Sequence, residues 1–304
     1  MSDQLLVLNK DSDTMSVIDA ETGETDTIVE TEFNPHEIVV TPDGTKAYVT
    51  CSLGGALLVF DTDTWERLAT IEHEEFDFPH GLAIRESANE LWLASTYSSL
   101  VYVIDTETDE ILEYFPTHQD KSHMVALTPD EERAFVADIG SENVTAIDCA
   151  ERRILGDPMV GEEPEGIEVH PEAGLLVANQ GDGLLSVLDP DTFEETGKAL
   201  LGENPIRVVS SPNGRHVLVP NREGNDVSVI DTQHLRDGEQ RPWEIKRIGV
   251  GIWPGGTVFD ETGERAFVAN NKTNDVSVID CDTWRELERY ETEVHPDGIA
   301  YLSR

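Results

Sequence analysis

Residues 254–290 read PGGTVFDETGERAFVANNKTNDVSVIDCDTWRELERY, and the phrase near their centre, VSVID, is an apolar strand that ends in Asp. That phrase recurs as MSVID (15–19), LLVFD (57–61), VYVID (101–105), VTAID (144–148), LSVLD (185–189), VSVID (227–231) and VSVID (276–280). The closing aspartates lie 42, 44, 43, 41, 42 and 49 residues apart, so seven copies of about 43 residues fill the 304-residue chain. Within a copy, PGGTVF, RAFVAN, VSVID and WRELERY alternate apolar and polar positions and are parted by segments rich in Gly, Asp and Asn, which are strand and turn signals. Four short strands per period is the signature of a propeller blade. No segment keeps apolar residues at i, i+3, i+4 and i+7 for three turns, which excludes helical solenoids. The expected fold is all-β, a single domain over 1–304: a seven-bladed β-propeller with four antiparallel strands per blade. The chain opens on a second strand, LLVLN (5–9), and closes on a first strand, GIAYLS (298–303). One blade is therefore drawn from both ends, which closes the ring and hides its edges.

Composition bounds the partners. The 62 Asp and Glu against 21 Lys and Arg give a formal net charge of −41, dispersed along the chain rather than gathered in a tail. Nucleic acid and anionic membrane surfaces are excluded as partners, because binding them requires clustered cations. Six of the basic residues are Lys and the rest Arg. An acid-rich, Lys-poor surface is expected of a halophilic archaeon, since molar salt shortens the Debye length to roughly 3 Å and quiets self-repulsion. Met1 to Lys10 show no basic segment followed by an apolar one, and no apolar run approaches membrane-spanning length. Three cysteines, Cys51, Cys149 and Cys281, lack CxxC spacing, which fits reduced thiols. The localisation expected is cytoplasmic, and the chain is expected to be a monomer.

PDGTKAYVTC (42–51), VPNREGNDVSVIDT (219–232) and ERAFVANNKTNDVSVIDCDT (264–283) resemble the repeat of the YVTN family of seven-bladed propellers, which includes the YncE-like proteins. The resemblance spans the chain and implies the fold while leaving function open, since propellers host enzymes, binders and scaffolds. PHEIVVTPDG (35–44) and SHMVALTPDEERAFVADIGSENV (122–144) also resemble the lactonase and cycloisomerase propellers, whose mouths use His and Arg on anionic substrates. That second likeness covers two or three repeats.

The repeat makes the channel mouth enumerable. After the Pro that opens each first strand, replaced once by Ser122, stand His36, His80, His123, Glu165, Ile206, Gly255 and Asp297. Ten residues before each closing Asp stand Asn9, Cys51, Ser95, Asp138, Asn179, Asn221 and Asn270. Successive blades turn by about 51°, so His36, His80, His123 and Glu165 should face one side of the channel. Three imidazoles and a carboxylate are donors for a divalent transition metal, Zn, Cu, Fe, Mn or Ni; hydrogen bonding to loop carbonyls is the alternative use of the same histidines. Arg207, Arg222, Lys272 and Trp253, with Lys10, fall on the other side, where cations could hold a carboxylate or phosphate or pair with the abundant acids. Asp138 is a further candidate ligand-binding or turn residue, and His295 could reach the mouth. The closing aspartates should cap turns, Trp65 and Trp284 should pack between blades, and the longest copy places an enlarged turn at 233–246 on the opposite rim. Three functions remain open: a binding propeller for a small molecule or metal ion, a metal-assisted or His/Arg-based enzyme (lactonase, cycloisomerase, lyase or oxidoreductase), and a scaffold for a protein partner at a rim.

Overall fold

The computed structural model describes residues 2–236 and 243–304. Seven four-stranded antiparallel sheets each run as a simple meander from the channel outward. The first blade takes its inner strand, Pro296–Leu302, from the C-terminal end and pairs it with Gln4–Asn9, followed by Thr14–Asp19 and Thr25–Glu30. The inner strands of the next blades begin at Pro35, Pro79, Ser122 and Pro164, and that of the seventh at Pro254. The sixth keeps only Val209–Ser210 of its inner strand, preceded by an isolated bridge between Pro205 and Asn221.

The core does not sit within single blades. It consists of seven buried clusters, each shared by two neighbours. Leu5, Val7 and Ile18 of the first blade pack with Phe267, Val276 and Tyr290 of the seventh, so apolar burial runs unbroken round the ring. Second and third strands are sandwiched between blades and are buried on both faces. Outer strands such as Thr25–Glu30 bury little and carry charge. Trp65 and Trp284 pack against the clusters between the first and second and between the sixth and seventh blades, as expected.

Inner strands of adjacent blades approach closely beside the axis, and glycine makes this possible. A Cβ on Gly81 would lie 2.5 Å from the His123 carbonyl oxygen, and one on Gly166 would lie 2.6 Å from the Arg207 Cα. The closing aspartates cap turns as predicted: Asp19 Oδ1 accepts from the backbone N–H groups of Glu21 and Thr22, and Asp189 Oδ1 from those of Asp191 and Thr192. The insertion predicted at 233–246 contributes a short helix, Thr232–Arg236, and the outer strand Glu244–Gly249; its residues 237–242 lie outside the described residues.

Candidate functional site

A meander that runs outward places the turn between second and third strands, and the crossover to the next blade, at the end where inner strands begin. That end is the mouth. Each inner strand except the sixth departs from regular register at its start. The shift falls between Pro35 and Glu37, Pro79 and Leu82, Ser122 and Met124, Pro164 and Gly166, Pro254 and Thr257, and opposite Val7 and Asn9 in the first blade. A bulge re-aims the residue it inserts. It releases His36, His80, His123, Glu165, Gly255 and Asp297 from the strand pleat.

These residues meet at the channel. His80 and His123 stack with centroids 3.7 Å apart, and His36 lies 4.5 Å from His80. Phe78 continues the wall, parallel to His80 at 5.9 Å and 5.3 Å from Tyr97. Burial, then the neighbouring His123 and His36, holds the His80 imidazole well below its usual range; burial and Arg207 do the same to His123. Both are neutral bases at pH 7. His80 Nδ1 is buried without a hydrogen-bond partner, whereas His123 Nδ1 lies 3.0 Å from Thr96 Oγ1. His36 Nε2 stands 3.0 Å from Asp297 Oδ2, which also holds Lys10 Nζ at 2.8 Å. Burial opposes ionisation of Asp297, but Lys10, the His36 hydrogen bond and Arg207 outweigh it and keep the carboxyl well below the ordinary range.

Arg207 lies on the axis. Its guanidinium is buried, donates to Glu165 Oε1 at 3.2 Å and to the Ile206 carbonyl at 2.9 Å, and pairs with Glu37 on the far side of the channel. Burial pushes the Glu37 carboxyl up to about 7 in spite of that guanidinium. This bridge forms a floor beneath the mouth. Above it lies a cavity of about 350 Å³ lined by His36, His123, Glu165 and Asp297, by Lys10, Lys121 and Arg222, and by Phe78, Tyr97, Ile139 and Trp253. Arg222 Nη2 is 3.5 Å from Glu165 Oε1. Lys272 Nζ rests 3.5 Å from the centroid of the Trp253 ring, a cation–π contact.

The structure thus gathers His36, His80, His123 and Glu165, but not as a metal shell. His80 and His123 stack face to face, His36 is tilted against His80, and Glu165 is engaged by Arg207 and Arg222; among the described residues no three His, Cys, Asp or Glu are arranged to hold a metal ion. Arg207 is corrected from a mouth residue to a buried brace, because Glu37, Glu165 and Asp297 near the axis attract its guanidinium. Asp138 is corrected as well. It is fully buried within its blade and accepts from Ser122 Oγ at 2.6 Å and Thr145 Oγ1 at 2.7 Å, so it stitches second to third strand, and burial pushes its carboxyl up to about 6. The same stitch recurs where Asn9 Nδ2 donates to Ser16 Oγ and Asn270 Nδ2 to Ser277 Oγ. Cys51 lies in the core, and His295 pairs with Asp11 away from the cavity. Sequence reasoning missed Glu37, Lys121, Phe78 and Tyr97. Phe78 and Lys121, like Trp253, occupy the place immediately before the opening Pro or Ser, and scanning that frame position would have found them.

No protein-family model matches the sequence, and no curated protein matches it. Solved structures match the fold. The chain is similar to a functionally unknown protein from Desulfotomaculum acetoxidans (14% identity, 99% of each chain, TM-score 0.85). It is also similar to Kuenenia stuttgartiensis hydrazine synthase (20% identity, 91% of this chain and 92% of that one, TM-score 0.80). A third match is the dihydro-heme d1 dehydrogenase NirN in complex with DHE (12% identity, 98% of this chain and 74% of that one, TM-score 0.71). At these identities the likeness concerns the fold.

Proposed function

We propose that the chain is a binding propeller that holds a small molecule at the mouth of its channel. One observation carries this reading. In a protein of net charge −41 with six lysines, Lys10, Lys121 and Lys272 stand at one mouth, beside a wall of neutral imidazoles and around a cavity of about 350 Å³. Ligand pockets combine such an enclosed, partly aromatic wall with a few placed polar groups. The test is a thermal-shift screen of organic acids, sugars, nucleosides and divalent metals in molar KCl. The expected result is a ligand that raises the midpoint of the native protein and not that of a His123→Ala, Trp253→Ala double variant; a screen in which both respond alike overturns the reading.

The three-His metal reading requires Arg207 to release Glu165 and the imidazoles to unstack. Metal analysis of protein purified without a His tag decides it: stoichiometric metal that disappears in a His36, His80 and His123 triple Ala variant would restore that reading. The enzyme alternative uses neutral His123 as a base against an anionic substrate held by Arg222, and turnover of a lactone panel tests it. The wider placement of the protein, a YVTN-like propeller working in the salt-rich cytoplasm of a halophile, rests on the repeat phrases and the acidic surface.

A further inference from the structure

The charges around the mouth can be matched one by one. Lys10 is held by Asp297, Arg222 by Glu165, and Arg207 by Glu165 and Glu37. Lys272 rests on the Trp253 ring. Lys121, exposed on the cavity lining, has no carboxylate partner among the described residues, although the chain carries 62 acids. Beside it stands an aromatic shelf. Phe78 and Tyr97 line the same cavity, their rings 5.3 Å apart, and Tyr97 is 59% exposed in a protein whose other tyrosines are mostly covered. His123 completes the group; Phe78 stacks toward it at 6.4 Å, and Thr96 takes its Nδ1, so Nε2 makes no hydrogen bond among the described residues.

We propose that the ligand of this site is a small aromatic carboxylate, its ring on the Phe78 and Tyr97 shelf and its carboxylate on the Lys121 ammonium, with His123 as a neutral hydrogen-bonding partner. The inference rests on the reading of the mouth as a ligand site and names the class of molecule it takes. Three features favour this class over others. An aromatic face gains offset or edge contacts on Phe78 and Tyr97 that a sugar or aliphatic acid does not. Among the described residues, the one mouth ammonium that rests on neither a carboxylate nor a ring suits one carboxylate, whereas a phosphate dianion would draw on cations already engaged by Asp297, Glu165 or the Trp253 ring. The acidic surroundings repel any larger polyanion.

The experiment is isothermal titration calorimetry of the full chain in molar KCl with four probes: benzoate and phenylacetate, benzamide as the neutral ring, and hexanoate as the acid without a ring. Benzoate or phenylacetate is expected to bind at least about tenfold more tightly than the other two, since each lacks one of the two complementary contacts. Lys121→Met should erase the preference over benzamide, and Tyr97→Ala the preference over hexanoate. Each variant is exposed and outside the core, so a thermal midpoint close to that of the native chain confirms folding. Equal affinity for all four probes, absence of binding by any, or a preference indifferent to both substitutions overturns the proposal. The broader screen of ligands separates that failure from failure of the site itself: a hit of another class that still depends on His123 and Trp253 keeps the mouth and discards the aromatic acid.

Discussion

The two faces of the ring are built from one repeat and differ in what they show to water. The face away from the mouth is a succession of acidic turns, AETGE (20–24), DTDTWE (61–66), DTETDE (105–110) and DETGE (260–264) among them. Among the described residues, none of those turns exposes a large apolar side chain. Around the mouth, Phe33, Leu53, Tyr97, Met159, Ile252 and Val294 are exposed, and half of the lysines gather there. The repeat itself dictates neither pattern, because both faces consist of turns that tolerate most residues. Acids also fill the mouth crossovers, EHEEFD (72–77), GEEPE (161–165) and ETE (291–293) among them, so the faces differ less in acidity than in the exposed apolar side chains and lysines that the mouth adds to it. At the mouth the cations Lys10 and Arg222 neutralise the lining carboxylates Asp297 and Glu165, whereas the acids of the far turns serve solubility.

The largest effect should come from a change that respects neither face. Deleting 297–304 removes the strand that pairs with Gln4–Asn9, the apolar contacts of Ile299 and the ligand to Lys10. No cooperative thermal transition should remain at any KCl concentration, as followed by circular dichroism; a folded truncated chain would mean that ring closure adds little. Next comes the floor of the mouth. Arg207→Met leaves Glu37 buried without a cation and Glu165 with Arg222 alone, and should cost about 3–5 kcal/mol in urea unfolding, with Glu37→Gln in the same chain recovering a large share. Equal losses in the single and double variants would show that Arg207 contributes packing only.

Salt should then separate the faces. As KCl is withdrawn, hydrogen exchange is expected to accelerate first in the turns of the far face and later in the mouth loops, where Lys10 and Arg222 are paired with acids and offset part of the like-charge repulsion. Simultaneous opening of both would contradict the asymmetry. A smaller signal is expected from pH. Burial pushes the Glu168 carboxyl up to about 7, so the folded protein holds a proton there that the unfolded chain releases near its ordinary range. Its contribution to stability is complete below the unfolded pKa and is lost as the pH rises through about 7. Glu168→Gln should therefore flatten the decline in urea midpoint between about pH 5 and 7; an unchanged slope would place the titration elsewhere. The smallest effect is that of one turn. Asp189→Ala loses hydrogen bonds to the Asp191 and Thr192 backbone and should lower the midpoint slightly while leaving ligand affinity unchanged.

The ring was legible because its period is long, its strands are short and the closing Asp marks each copy. Even the blade shared by both ends follows from the phase of the repeat. The mouth was legible in part. Of the residues after the opening Pro or Ser, His36, His123, Glu165, Gly255 and Asp297 line the cavity while His80 and Ile206 are buried; the position ten before the closing Asp was taken for a second mouth position and proved to be interior. Side chains of a strand alternate between faces, so a slip of one residue turns every member round. Asn9, Asp138 and Asn270 point into their blades, whereas their successors Lys10, Ile139 and Asn271 line the cavity. Arg207 was misread for another reason. Frame position places a backbone, and the long arginine side chain then reaches across the axis to whichever carboxylates are buried there, which no count along one repeat reveals.

One backbone feature separates the seven copies from ordinary β structure. The residue preceding each opening Pro or Ser, Asn34, Phe78, Lys121, Glu163, Asn204, Trp253 and His295, has φ between 51° and 61°, in the left-handed region. Asn adopts this conformation readily; Phe, Lys and Trp do so at a cost of order 1 kcal/mol each. Glycine at 78, 121 or 253 would adopt that φ without strain and leave a blank hub. A program of thermostabilisation that follows backbone preference alone would therefore erase the shelf, the free ammonium and the indole together, and its most durable product would be the one least able to hold a guest.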